Sequence, residues 1–303
     1  MVKASGYGSG SVEVARLLEF QKVDYLAVAY ADEGVELREA GIKLPILVLN
    51  PEEATFNKLF HYQLEPEVYS LSQLSKLIHA LPPKFKLPIH LKIDTGMRRL
   101  GFSAKDISTL ADILKKEKRL IVKSVFSHLA GSEDSQHDQF SKQQFKTFSA
   151  AADTLENELG YSPMRHILNS AGIFRFPDLQ MDMVRLGIGI YGIDGSGSIS
   201  DKLQNVMTLK ATISQINEVK KNETIGYSRR GKASKNMRTG TISIGYADGF
   251  LRAAGNGKFS VLVNGKLAPT VGNICMDMSM IDLTNIPDAA EGDEVIILSL
   301  IHI

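Results

Sequence analysis

MVKASGYGSG (residues 1–10) decides how the rest of the chain is read. A lysine two residues in, followed by a tyrosine and spaced glycines, leaves no room for a strand or helix to lead into the turn. The stretch is either a loose terminus or the end of an element. The apolar runs that follow bear on this choice. DYLAVAY (24–30), PILVLN (45–50), IHLKID (89–94), IVKSVFSHL (121–129), RHILNS (165–170) and DMVRLGIGIYG (182–192) read as strands, and QLEPEVYS (63–70) as a poor one. Between them lie stretches with helical spacing, among them ADEGVELREAG, LSQLSKLIHAL, SAKDISTLADILKKE and DQFSKQQFKTFSAAADTLENELG. Continuous apolar runs indicate strands buried on both faces, and their alternation with helices indicates a parallel sheet. If MVK is the tail of an eighth strand, the set closes into a (β/α)8 barrel. A flat doubly wound sheet is the alternative.

The residues at strand ends favour the barrel. Lys3, Tyr30, Asn50, Asp94, His128, Asn169, Ser170 and Arg185 all fall at or near the carboxyl end of an expected strand. In a barrel these ends form one ring, where such folds place their chemistry. In an open sheet they would spread along an edge.

Past Gly192 the character changes. DGSGSIS is a turn-rich linker. TLKATISQINEVK, TGTISIGYA and KFSVLVNGKLAPTVG then read as strands without helical crossovers. Asn264-Gly265 is a tight-hairpin signal. The expected division is a barrel over 1–204 and a mostly β domain over 205–303. The net charge of +1 argues against nucleic acid as a partner. No apolar run approaches the ~20 residues of a membrane helix. The single cysteine, Cys275, permits no internal disulfide and fits a cytoplasmic location.

Several residues can carry chemistry. A lysine at a buried strand end can form a Schiff base, because burial favours its neutral amine. For Lys3 taken alone, a solvated lysine is the commoner reading. Tyr7, among Gly6, Gly8 and Gly10, suits a tight loop that brings a hydroxyl to a phosphate. HLKIDTGMRRLGF (90–102) sets Lys92, Asp94, Thr95 and Arg99 in and just past a strand, which is equally a strand with a charged turn. His128 has the bland reading of a core histidine. Arg185 sits inside an apolar strand, where a bare charge is costly and must be paired. GIGI beyond it lets backbone amides approach an anion. Tyr246 falls in a turn after a strand. No HxH or CxxC spacing supports a metal site, and Cys275 reads as packing.

Taken together and in order, VKASGYGSG, HLKIDTGMRRLGF, NSAG, MVRLGIGIYG, IGYADGF and GNICMDM resemble alanine racemase over essentially the whole chain. The resemblance implies a pyridoxal 5'-phosphate enzyme built from a barrel and a β-domain, interconverting L- and D-alanine for peptidoglycan as a homodimer. It implies that Lys3 ends the first barrel strand, holds the cofactor and serves as base for D-alanine. Tyr246, reaching across from the other subunit, would serve L-alanine. Arg185 would face the pyridine nitrogen. Tyr7, Ser170, Gly187 and Ile188 would hold the phosphate, with Asn169 beside them. Arg99 would bind the phenolic oxygen and the substrate carboxylate, Met276 would offer that carboxylate an amide, and His128 would pack at the ring. Lys92 resembles a lysine that is carbamylated in some relatives. A broad-specificity racemase, a fold-related decarboxylase and a non-catalytic cofactor carrier are the competing readings. Arg185 counts against a decarboxylase, and IGYADGF and GNICMDM against a carrier.

The sequence also departs from the family pattern. Ser5 and Ser9 replace the acidic or amide residue and the histidine usual in the first motif. With AVAYADEGVELREAGI, this variant resembles the racemase half of a Bacteroidetes-type fusion with the UDP-MurNAc-tripeptide:D-alanyl-D-alanine ligase. Both domains are expected to be truncated, the barrel in its first strand with two sheet edges left exposed. LSLIHI (298–303) is expected to be a non-native tail.

Overall fold

The computed structural model describes residues 1–204 and 206–298. The chain divides into two compact units, Met1–Gln204 and Asn205–Ile303. Of the expected tail, Leu298 closes a strand opposite Leu209, and positions 299–303 lie outside the described residues.

The first unit is built on six parallel strands in sequence order: β1 (Leu26–Val28), β2 (Ile46–Val48), β3 (Glu65–Val68), β4 (Leu87–Lys92), β5 (Leu120–Phe126) and β6 (Met164–His166). β1 and β2 are buried at every position, as continuous apolar runs require. The helices between strands set Leu37, Leu74, Leu77, Leu110, Phe148 and Leu155 into one core with them.

Two further segments cover the outer strands. Val2 N donates to Ala27 O across 2.9 Å, and Met1 N donates to Leu186 O across 3.1 Å. Asp182 N and Arg185 N donate to Arg165 O and Leu168 O. Eight segments thus follow one another round the ring, although only six are regular strands. The sheet edges expected to be exposed are instead met by Met1–Val2 on one side and 182–186 on the other.

Two expected strands need correction. DMVRLGIGIYG is not a strand: Gly187 leaves extended geometry at φ −112 and ψ −107, Ile188–Tyr191 is a 3-10 turn, and Gly192 ends it at φ 80. RHILNS shortens to Met164–His166 because Asn169 caps the helix Ser170–Arg175, its side chain accepting from Gly172 N across 3.0 Å. The first residues do not continue as a strand beyond Val2. They wind into a left-handed turn.

The second unit is antiparallel. Its strands are β7 (Leu209–Val219), a short ribbon of β8 (Thr224–Ile225) and β9 (Gly231–Lys232), then β10 (Met237–Ile242), β11 (Ser260–Val263), β12 (Lys266–Val271), β13 (Ser279–Asp282) and β14 (Glu294–Leu298). β10, β13, β12, β11, β14 and β7 close into a barrel, so these six leave no free edge. Asn264 and Gly265 take φ 48 and 75, the two left-handed residues of the predicted hairpin turn. Among the described residues no helix is long and apolar enough to cross a membrane.

Candidate active site

A cavity of about 700 Å³ opens in the first unit, at the carboxyl ends of its strands. Lys3, Tyr7, Arg99, His128, Asn169, Ser170, Arg185, Gly187 and Ile188 all line it. They come from five separate stretches of sequence. Lys92, Phe126 and Glu67 are also part of its wall.

The loop after Lys3 is held in an unusual conformation. Ala4, Ser5, Gly6 and Tyr7 all have φ between 52 and 59. Three of these residues carry a Cβ, and left-handed backbone costs such residues about 1–2 kcal/mol each. Glu33 offsets this cost. Its Oε1 accepts from Ala4 N at 2.6 Å, and its Oε2 from Ala29 N at 2.6 Å and Tyr30 N at 3.1 Å. One carboxylate thereby fastens the residue after Lys3 to the end of β1.

Hydroxyls and glycine backbone meet at one part of the cavity. Ser170 Oγ accepts from Gly187 N at 2.9 Å and Gly189 N at 3.2 Å. A Cβ on Gly187 would lie 3.2 Å from Tyr7 Oη, so a side chain there would fill the space beside the tyrosine hydroxyl. The Tyr7 ring packs against Tyr191, with centroids 4.7 Å apart.

Arg185 is buried, and its guanidinium is held by carbonyls and imidazoles. It donates to Ser127 O at 2.5 Å, Ile167 O at 3.1 Å and His166 O at 3.3 Å, and faces His166 Nδ1 at 2.5 Å and His128 Nδ1 at 3.2 Å. The ion pair with a barrel carboxylate, the bland reading of this residue, is not among these contacts. Burial pushes the guanidinium down to about 10, against the pull of Glu67 and with the help of Arg99, and it stays charged at neutral pH.

A guanidinium only donates, so both imidazole Nδ1 atoms must accept. The rest of a buried chain then follows. His166 Nε2–H donates to Ser124 Oγ at 2.8 Å, and the Ser124 hydroxyl donates to His90 Nδ1 at 2.6 Å. His90 Nε2–H donates to Glu65 Oε2 at 2.8 Å, and Tyr25 donates to the same oxygen at 3.3 Å. Every donor points away from Arg185 and towards Glu65. Both Arg185-facing imidazoles are neutral. His166 is held well below its ordinary value by burial and then by Arg185, and His128 is pushed down to about 2 by burial and by Arg185, Lys92, Arg99 and Lys3.

Tyr246 and Met276 belong to the second unit. Tyr246 opens a 3-10 turn, Tyr246–Asp248, and its side chain is partly exposed. Tyr246 N donates to Cys275 O and Ala247 N to Met276 O, each across 3.0 Å. A Cβ on Gly245 would lie 2.1 Å from Met276 O. The motifs IGYADGF and GNICMDM are therefore one structural piece that depends on Gly245.

Glu33, Glu65, Glu67, His90, Ser124 and His166 were not expected at the site. A signal for the barrel residues exists in the strands: Glu65 and Glu67, His90 and Lys92, Ser124 and Phe126 recur at a spacing of two. That is the spacing of one strand face. The signal is lost among runs that otherwise read as apolar.

The fold and cavity define an enzyme that pairs an α/β barrel, bearing a lysine and a hydroxyl-and-glycine cradle at its mouth, with a second domain of antiparallel strands. The family model "Alanine racemase, N-terminal domain" matches residues 1–195, and "Alanine racemase, C-terminal domain" matches 206–302. Alanine racemases of Clostridium kluyveri and Thermodesulfovibrio yellowstonii are each 38% identical over 98% of this chain, covering 77% and 78% of their own lengths. The solved alanine racemase of Clostridium difficile superposes with a TM-score of 0.90 at 36% identity, over 98% of this chain and 78% of that one. That of Bacillus anthracis, with bound L-Ala-P, superposes with 0.89 at 30% identity, over 98% and 77%. The chain belongs to the alanine racemase family.

Proposed function

We propose that this protein interconverts L- and D-alanine, with pyridoxal 5'-phosphate held in the first unit's cavity. The observation that carries the cofactor is the convergence of Lys3, Tyr7, Ser170, the Gly187-Ile188 backbone and buried Arg185 on one cavity. Hydroxyls and glycine amides fit a phosphate, an amine fits an aldehyde, and a fixed donor fits a ring nitrogen. The bound group would supply an electron sink for the bond broken at the α-carbon.

The chain's own residues would divide the remaining work. Lys3 is the base for D-alanine. Tyr246 of a second copy is the base for L-alanine, and its partial exposure leaves it available to a partner. Two bases on opposite faces are what racemisation requires, since each must give back the proton the other removed. Arg185 can only donate, and its neutral imidazole neighbours leave the guanidinium as the local charge. It therefore offers a ring nitrogen a hydrogen bond without handing over a proton. Arg99 stands at the cavity for the substrate carboxylate, and a backbone amide at Met276 is proposed for the same carboxylate. The reading extends to a homodimer and to a cytoplasmic source of D-alanine for peptidoglycan.

Borohydride trapping tests it. The purified chain is incubated with pyridoxal phosphate, reduced and digested, and alanine racemisation is assayed in parallel. Label on Lys3 with racemisation is expected. Label scattered over surface lysines of a folded chain would remove the cofactor assignment.

A further inference from the structure

The cavity wall carries Lys3, Lys92, Arg99 and Arg185, against two carboxylates, Glu67 and Glu133. Glu133 is exposed and takes a hydrogen bond from Asn169 at 3.5 Å. Glu67 is different. It is 1% exposed, and its Oε1 is buried with no hydrogen-bond partner. Lys92 Nζ stands 3.5 Å from that oxygen, itself buried and 4.5 Å from the centroid of the Phe126 ring. Arg185 approaches the same ring, with Cζ 5.1 Å from its centroid. A buried carboxylate oxygen without a hydrogen bond is costly unless charges around it supply the missing stabilisation. Burial raises the Glu67 carboxyl, and Lys92, Arg185 and Arg99 pull it back towards its charged form.

We propose that Glu67 is the built-in anion of this cavity: it positions the Lys92 amine and offsets the Arg99 and Arg185 charges, so that Lys92 works unmodified. The alternative source of negative charge is carbon dioxide. A neutral Lys92 amine would attack its carbon, the N–C bond would form, one N–H proton would leave to solvent, and the side chain would become a carbamate anion. Burial favours the amine such a reaction needs: Lys92 is lowered to about 8, with Glu67 opposing and Arg185 and Arg99 assisting. At Lys92 that new anion would face a carboxylate already standing beside Nζ. Two like charges at this separation in a buried wall disfavour each other strongly. Glu67 therefore serves as counter-charge and as the barrier to modification. The same charge cannot be supplied by Glu65, whose Oε2 is engaged by His90 and Tyr25.

The positioning role rests on the racemase reading, whereas the state of Lys92 does not, and the two are separable by experiment. The holoenzyme is equilibrated with carbon-13 bicarbonate and examined by carbon-13 NMR, beside Glu67→Gln and Lys92→Met. No carbamate resonance is expected from the wild type. One is expected from Glu67→Gln, whose amine has lost its anion. In bicarbonate-free buffer Glu67→Gln should lose roughly tenfold or more in kcat/KM for alanine, and bicarbonate should restore part of it while leaving the wild type unchanged. A wild-type carbamate resonance that disappears in Lys92→Met would overturn the proposal. So would a Glu67→Gln enzyme with wild-type kinetics in bicarbonate-free buffer. If neither variant folds, the wild-type spectrum decides alone: resonance present overturns the proposal, resonance absent upholds it.

Discussion

The guanidinium of Arg185 faces Nδ1 of His166 at 2.5 Å. This single contact fixes the protonation of the imidazole, because a guanidinium has no lone pair to accept with. It starts the donor chain through Ser124 and His90 that ends on Glu65. Replacing His166 with phenylalanine would keep the ring's packing on Phe126 (stacked at 4.7 Å) but take one acceptor from Arg185 and one donor from Ser124. A loss of about 1–3 kcal/mol for the two hydrogen bonds is expected in urea denaturation. Wild-type stability in that variant would show that the chain is ornamental.

The same contact makes a pH prediction. His166 and His128 are held below their ordinary value of 6.5, so both are neutral in the folded protein near neutral pH. On unfolding each is free to take a proton below 6.5. The unfolded state then binds more protons, and stability falls as pH falls. The slope should approach about 1.4 kcal/mol per pH unit for each histidine between pH 6 and 5. Denaturation midpoints across that range check it, and His166→Phe should flatten the slope by about half.

Glu33 ties the amide after Lys3 to the end of β1. Glu33→Gln can accept at one oxygen only and loses the charge. About 1.5–3 kcal/mol per charge-assisted bond is at stake. A lower melting temperature and a smaller fraction of reducible label on Lys3 are expected together. A full label with a normal melt would mean that the left-handed turn holds without its carboxylate.

Gly187→Ala tests where the phosphate sits. The backbone there, at φ −112 and ψ −107, lies outside the regions a Cβ-bearing residue favours, and the new methyl would reach 3.2 Å from Tyr7 Oη. Stability should fall by about 1–3 kcal/mol, the cost of holding alanine in that conformation. Affinity for pyridoxal phosphate should fall roughly tenfold or more. Unchanged affinity, read by absorbance titration, would move the phosphate elsewhere in the cavity.

Tyr246→Phe removes one of the two proposed bases. Racemisation should fall roughly 10²–10⁴-fold, with Lys3 labelling intact. In heavy water the variant should still exchange the α-hydrogen of D-alanine through Lys3. Loss of that exchange as well would show that Tyr246 does more than protonate one face.

Much of this was legible in the sequence because it depends on local pattern. Apolar runs between amphipathic stretches marked the parallel sheet of the first unit, and Asn264-Gly265 marked a hairpin of the antiparallel second unit. The ring of residues at strand ends marked the cavity: Lys3, His128, Asn169 and Arg185 all line it. DMVRLGIGIYG misled, since its apolar composition hid the glycines that break extended geometry.

The sequence by itself determined which elements form and which chemistry-bearing residues stand at their ends, because periodicity and turn chemistry act over a few neighbours. Only the tertiary structure decided what those residues meet. Glu67 finds Lys92 from another strand, and Arg185 finds His166 instead of a carboxylate. Such pairings depend on the register and curvature of strands far apart in sequence, and burial then sets which of the paired groups keeps its charge.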